Sequence, residues 1–111
     1  MWTTNQQTAI DAPVADNLVS AAAGSGKTAV MVERIVRRVV SGEVNIDKLL
    51  IVTYTNAAAS ELKSRLMQEI MQKLDEDGDS HNLNKQLMLI NTASICTIHS
   101  FCLDILRNNF H

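Results

Sequence analysis

The stretch Ala21-Ala22-Ala23-Gly24-Ser25-Gly26-Lys27-Thr28 decides how this chain reads. It meets the pattern G-x-x-x-x-G-K-[ST] except at its first position, which is Ala21. A short apolar segment over residues 17–21 precedes it and reads as a strand ending in glycines. A helical stripe follows: Ala29, Val32, Val36 and Val39, with Ile35 alongside, while Glu33, Arg34, Arg37 and Arg38 fall on the other face. Strand, glycine-rich turn and helix together are the context a phosphate-binding loop requires. Gly24 and Gly26 let successive backbone N–H groups point inward at phosphate oxygens, and the helix adds its positive end. Lys27 would reach the outer phosphates as a point charge, and the Thr28 hydroxyl is placed to ligate Mg²⁺. The competing reading is a glycine-rich turn with an incidental lysine. The spacing favours nucleotide binding.

Outward from that loop the periodicity keeps alternating. Gly42 is placed to end the first long helix. Residues 48–53 (K-L-L-I-V-T) form a continuous apolar run, as expected of a strand buried on both faces. Ala59, Leu62, Leu66, Ile70 and Leu74 predict a second long helix running down to an acidic loop. A short helix near residues 82–90, a short strand near residues 94–97 and a helix bearing Ile98, Phe101, Cys102, Ile105 and Leu106 follow. This order describes βαβ units, hence a three-layer α/β domain with a parallel sheet and right-handed crossovers.

Composition sets the outer bounds. The chain has 111 residues, 46% of them hydrophobic and 20% charged, which fits one ordered domain, residues 1–111. No apolar run approaches the ~20 residues of a membrane span, and Met1-Trp2-Thr3-Thr4-Asn5 lacks the regions of a secretory signal. A cytoplasmic domain with no membrane partner is the expectation. The net charge is −2, but Asp75, Glu76, Asp77 and Asp79 are crowded into one stretch, so the remainder is mildly basic. That excess is compatible with a nucleic-acid partner without announcing one. Cys96 and Cys102 are the only cysteines, expected to be reduced thiols. With His99 they make Cys-x-x-His-x-x-Cys, short of the paired knuckles of structural zinc.

Two acidic features imitate known sites. Asp75-Glu76 resembles a Walker B pair, but Met71-Gln72-Lys73-Leu74 before it continues a helical stripe rather than an apolar strand. Asp75-Glu76-Asp77-Gly78-Asp79 resembles a calcium loop, but its glycine comes at the fourth position rather than the sixth, and Gln86 stands where glutamate is needed. A solvated acidic turn accounts for both.

Further blocks narrow the class. Residues 23–28, then Thr53-Tyr54-Thr55-Asn56-Ala57-Ala58-Ala59-Ser60-Glu61-Leu62, then Thr97-Ile98-His99-Ser100-Phe101 resemble, in order, the first conserved blocks (Walker A and motifs Ia and Ib) of superfamily 1 DNA helicases of the UvrD/Rep/RecB group. Trp2-Thr3-Thr4-Asn5-Gln6-Gln7-Thr8-Ala9-Ile10 resembles that group's Q motif, with Gln6 at the glutamine position. The triple alanine after Asn56, Gln86-Leu87, and the run from Ala93 to Cys102 are similar to the AddA type within it. The resemblance implies a P-loop NTPase, RecA-like fold, here truncated to the N-terminal part of the ATP-binding helicase domain. It implies ATP and Mg²⁺ as cofactors, with nucleotide binding by Gln6, residues Ala21, Ala22, Ala23, Gly24, Ser25, Gly26, Lys27 and Thr28, and catalytic roles for Lys27 and Thr28. It also implies 3′→5′ translocation on single-stranded DNA, action at DNA ends in recombinational repair, and a partner of the AddB type.

Each carried-over role has its own physical reading. The Gln6 amide, donor and acceptor together, suits an adenine edge, or is simply a solvated glutamine on a short helix. Thr53, Thr55 and Asn56 stand where a strand gives way to a helix, where they would hold DNA phosphates or cap the helix. Tyr54 would stack on a base, or pack at the strand end. Thr97, His99 and Ser100 repeat the arrangement and suggest a second backbone contact; His99 alone would read as a satisfied core histidine. Arg34, Arg37 and Arg38 are expected on a solvated helix face. No Walker B strand, arginine finger, second motor domain or nuclease domain occurs in the 111 residues. The expectation is therefore a piece of a longer motor, binding nucleotide but not unwinding DNA. The rival is a small P-loop kinase or nucleotide-binding module acting alone. A kinase needs an arginine-bearing lid, and none of the arginines lies in a glycine-flanked segment.

Overall fold

The computed structural model describes residues 2–19, 26–78 and 80–109. Helix α1 spans Thr4–Asp11 and opens on a capping box: the Gln6 N–H donates to Thr3 Oγ1 at 3.2 Å, and the Thr3 N–H donates to Gln6 Oε1 at 2.9 Å. It stops at Ala12, whose ψ of 138° is the extended conformation forced on a residue before proline.

Helix α2, Lys27–Val40, begins after Gly26 in the left-handed region at φ 86°. Its far end is a complete Schellman motif. Gly42 (φ 80°) donates its N–H to the Val39 carbonyl at 3.2 Å, and Glu43 donates to the Arg38 carbonyl at 3.1 Å. Gly42 thus ends this helix as its sequence position suggests. A single 3-10 turn, Ile46–Lys48, leads into strand β1, Leu50–Thr53.

Helix α3, Asn56–Asp77, is capped by Thr55, whose Oγ1 accepts from the Ala58 N–H at 3.1 Å. The helix carries Asp75 and Glu76 within its last turn, so the acidic run is helix end and not a free turn until Gly78, at φ 79°. Short-range partners favour the extension: Lys73 Nζ lies 3.8 Å from Glu76 Oε2, and Gln72 Nε2 donates to Glu76 Oε1 at 3.4 Å. Helix α4, His81–Leu89, a 3-10 turn Ile90–Thr92, strand β2, Ser94–Thr97, and helix α5, Ile98–Asn109, complete the described order.

Strands β1 and β2 pair in parallel, with Leu50, Ile51, Val52 and Thr53 opposite Ser94, Ile95, Cys96 and Thr97. Parallel strands need a crossover, and α3 with α4 supplies it. The core lies on the Ile51 and Ile95 side of this sheet. Val32, Val36 and Val39 from α2, Leu62, Leu66 and Ile70 from α3, Leu83 from α4, and Ile46 and Ile90 meet there. Burying each such aliphatic side chain contributes about 1.5–3 kcal/mol before entropy is set against it.

Two expectations about strands need correction. Residues 48–53 are not buried on both faces: Ile51 is in the core, but Leu50 is 49% exposed and Val52 37% exposed. The pleat sends alternate side chains to opposite faces, and only one face is covered by α2, α3 and α4. The first expected strand, residues 17–21, forms no strand over its described part, residues 17–19. A strand exists only as part of a ladder, and Asn17 instead turns the chain on itself, donating from Nδ2 to the carbonyls of Pro13 and Ala15, both at 3.0 Å. Leu18 there is 97% exposed. Among the described residues the sheet therefore has two strands, and the architecture is a small α/β fold.

Candidate nucleotide and DNA site

The sequence-predicted residues fall into two groups that the fold gathers separately. The first surrounds the start of α2. The first turn of any helix leaves backbone N–H groups without intrahelical partners, and among the described residues no side chain caps this one. Lys27 and Thr28 occupy that turn and are exposed. Residues Ala21, Ala22, Ala23, Gly24 and Ser25 lie outside the described residues. Gly26 is described, and its backbone conformation favours glycine there. Its φ of 86° is costly for any side chain. A Cβ on it would also stand 3.1 Å from Gln6 Nε2. The amide of Gln6 thus lies beside the glycine that precedes α2.

Gln6 itself is half-buried, and its Oε1 is engaged by the Thr3 N–H. The capping box holds the carboxamide in one orientation, with its nitrogen toward Gly26. The cap and the contact thus use opposite ends of one amide.

What sequence reasoning missed is how α1 is held. Arg34 does not lie on a solvated face. Its Nη1 donates to the carbonyls of Ala9 at 2.9 Å, Ile10 at 3.2 Å and Ala12 at 2.7 Å, and its Nη2 donates to Pro13 at 3.4 Å. Arg38 adds Nη2 to the Ala12 carbonyl at 2.9 Å and pairs with Glu43 at 2.8 Å. Arg37 is more exposed and bridges Glu33 at 2.7 Å and Asp11 at 3.2 Å. The end of a helix presents carbonyls with a partial negative charge, and α1 has no basic residue of its own in its last turn. Arginines one helical turn apart on α2 supply it. The spacing 34, 38 facing a short helix that ends in Ala-Pro was the available signal.

The second group stands at the C-terminal edge of the sheet. Thr53 and Thr97 are register partners, so the chain leaves both strands side by side. Thr53 Oγ1 donates to the Thr55 carbonyl at 3.0 Å, Thr55 caps α3, and Asn56 is the first residue of that helix. Tyr54 is 91% exposed, which rules out the packed-tyrosine reading. Thr97 is buried and does the capping on the other side: its Oγ1 accepts from the Ser100 N–H at 3.1 Å and donates to Ser100 Oγ at 2.9 Å. His99 is exposed and is no core histidine. Two helix starts and one exposed aromatic ring therefore share one edge, the place where ligands bind in open parallel sheets.

Cys96 is half-buried on β2 and Cys102 exposed on α5, both as free thiols. Among the described residues, no three His, Cys, Asp or Glu side chains gather as metal ligands, and no helix is long and apolar enough to cross a membrane.

Two parallel strands whose following helices start side by side, with a glutamine set beside the glycine that precedes α2, form the frame of the site. The sequence model of the UvrD/REP helicase N-terminal domain matches residues 2–111, and the chain belongs to that family. At closer range it is similar to ATP-dependent helicase/nuclease subunits of the AddA type. It is 54% identical to that of Clostridium perfringens and 56% identical to that of Clostridium novyi, over 99% of this chain in each case. The Alkaliphilus metalliredigens protein is 52% identical over the same share. The chain spans about 9% of the length of these relatives. The family resemblance carried by the four sequence blocks, AddA type included, is borne out.

Proposed function

We propose that this chain is the part of an ATP-dependent DNA helicase that holds the nucleotide and grips one DNA strand. The packing of Gln6 against Gly26 carries the reading, because it joins an adenine-reading amide to the end of a phosphate-binding loop. In this reading the fold is RecA-like and of the P-loop type, residues 21–28 with Gln6 take ATP, and Lys27 with the α2 N-terminus faces the phosphates. The donors present suit Mg²⁺, a hard cation that prefers oxygen: the Thr28 hydroxyl would hold it, and the ion would neutralise charge on the phosphates. Phosphoryl transfer is chiefly charge stabilisation, so the chain's own share is the lysine and the backbone amides.

At the other site, Thr53, Thr55, Asn56, Thr97, His99 and Ser100 would contact DNA phosphates while Tyr54 stacks on a base. The named relatives are ATP-dependent helicase/nuclease subunits, which supports a role within a larger helicase/nuclease. The resemblance of the sequence blocks adds a cytoplasmic motor that moves 3′→5′ from DNA ends, with an AddB-type partner, in double-strand-break repair. By itself the chain binds nucleotide without unwinding.

The test is Mg-ATP binding by the wild-type chain and by Lys27→Ala, measured calorimetrically. Affinity should fall by about tenfold or more with the ammonium gone. Equal affinity in the two proteins would defeat the reading.

A further inference from the structure

Helix α1 has eight residues, too few to be stable alone, so its position is set by what it is fastened to. It is fastened to α2 at two points. Near its start, Gln6 meets Gly26 just before α2 begins. At its end, the carbonyls of Ala9, Ile10, Ala12 and Pro13 converge on the single guanidinium of Arg34, about 12 Å further along α2 at ~1.5 Å per residue. Arg38 reinforces the second point through Ala12. Ile10, buried between, fills the space beneath. A short rod pinned at both ends has one place to put its side chains. Without the second pin, α1 would slide or fray from its C-terminal end, and the amide of Gln6 would lose its set position.

We propose that Arg34 is a positioning residue for recognition of the nucleotide base: by gripping the end of α1 it holds the Gln6 amide where an adenine edge can be read. This rests on the nucleotide-binding reading above. Arg34 touches neither base nor phosphate in it. The guanidinium suits the task because its planar donors serve several carbonyls at once, which a lysine ammonium, a point charge on a flexible stem, does less well.

The experiment uses the whole 111-residue chain with Mg²⁺ and three probes: ATP, GTP and inorganic tripolyphosphate. The wild type should bind ATP more tightly than GTP. In Arg34→Ala, tripolyphosphate affinity should stay within about twofold while the ATP-over-GTP ratio falls by roughly tenfold, the worth of one well-made hydrogen bond. Gln6→Ala should lose the same ratio, and the double variant should lose no more, since both act on one interaction. Lys27→Ala should instead lose tripolyphosphate. If Arg34→Ala weakens all three probes equally, or keeps the wild-type ratio, the positioning role is overturned while the nucleotide reading stands. If the wild type binds neither ATP nor tripolyphosphate, both fall together. Should circular dichroism show Arg34→Ala unfolded, Arg34→Lys decides in its place, and an unchanged ratio there overturns the proposal.

Discussion

Thr53 stands directly opposite Thr97 in the parallel ladder, and the hydroxyl of each is spent on the turn that follows it. The parallel register sets the two strand ends at the same level, and the exposed ring of Tyr54 projects from the short bend between β1 and α3. Tyr54→Ala should therefore weaken binding of a single-stranded oligonucleotide by about 1–3 kcal/mol, the usual worth of one stacked base. Its thermal midpoint should not move, because the ring is 91% exposed. Fluorescence anisotropy at two salt concentrations checks this. The salt slope, set by phosphate contacts, should be the same in both proteins.

A buried amide braces the other end of the fold. Gln86 is fully buried, accepts from the Ile46 N–H at 2.8 Å, and donates to Asn45 Oδ1 at 2.8 Å and Asn82 Oδ1 at 3.2 Å. Asn82 in turn donates to the Val39 carbonyl at 3.1 Å, tying α4 to the end of α2. Gln86→Leu keeps the bulk and strands the Ile46 N–H away from water. Stability should drop by about 1–3 kcal/mol in urea denaturation, since an orphaned buried donor costs more than a hydrogen bond is worth.

Gly26→Ala offers a separate check on the loop. The methyl must accept a left-handed φ and also meet Gln6 Nε2 at 3.1 Å. The backbone term alone is about 1–2 kcal/mol. Gly42→Ala carries a similar backbone term, at φ 80°, with open space around the added Cβ. The two variants should thus lose comparable stability, while only Gly26→Ala lowers ATP affinity. Calorimetry on both separates strain from site damage.

Much of the fold was legible in the order of residues. Helix α3 follows from Ala59, Leu62, Leu66 and Ile70, which recur at the helical period and are all buried. Strand β2 falls at Ser94–Thr97, where the apolar run is short and bounded. The glycines at 26 and 42 both sit at positive φ, where their places in the pattern put them. These are local matters: periodicity, caps and backbone freedom act within a few residues of themselves. The family, too, was readable, because its blocks are contiguous.

Only the tertiary structure decided the rest. Arg34 and Arg38 looked solvated because a charge on a helix face ordinarily is; their partners are carbonyls brought in by another helix more than 20 residues away. The uncovered side of β1 likewise depends on which layers surround it, and an apolar run reads the same whether one face or two are covered. Gln86, polar in sequence and buried in fact, finds its partner across some 40 residues of chain. A sequence states which groups can bond and with what local geometry. Which distant groups meet is settled when helices pack, because only then does water leave and each buried donor need an acceptor.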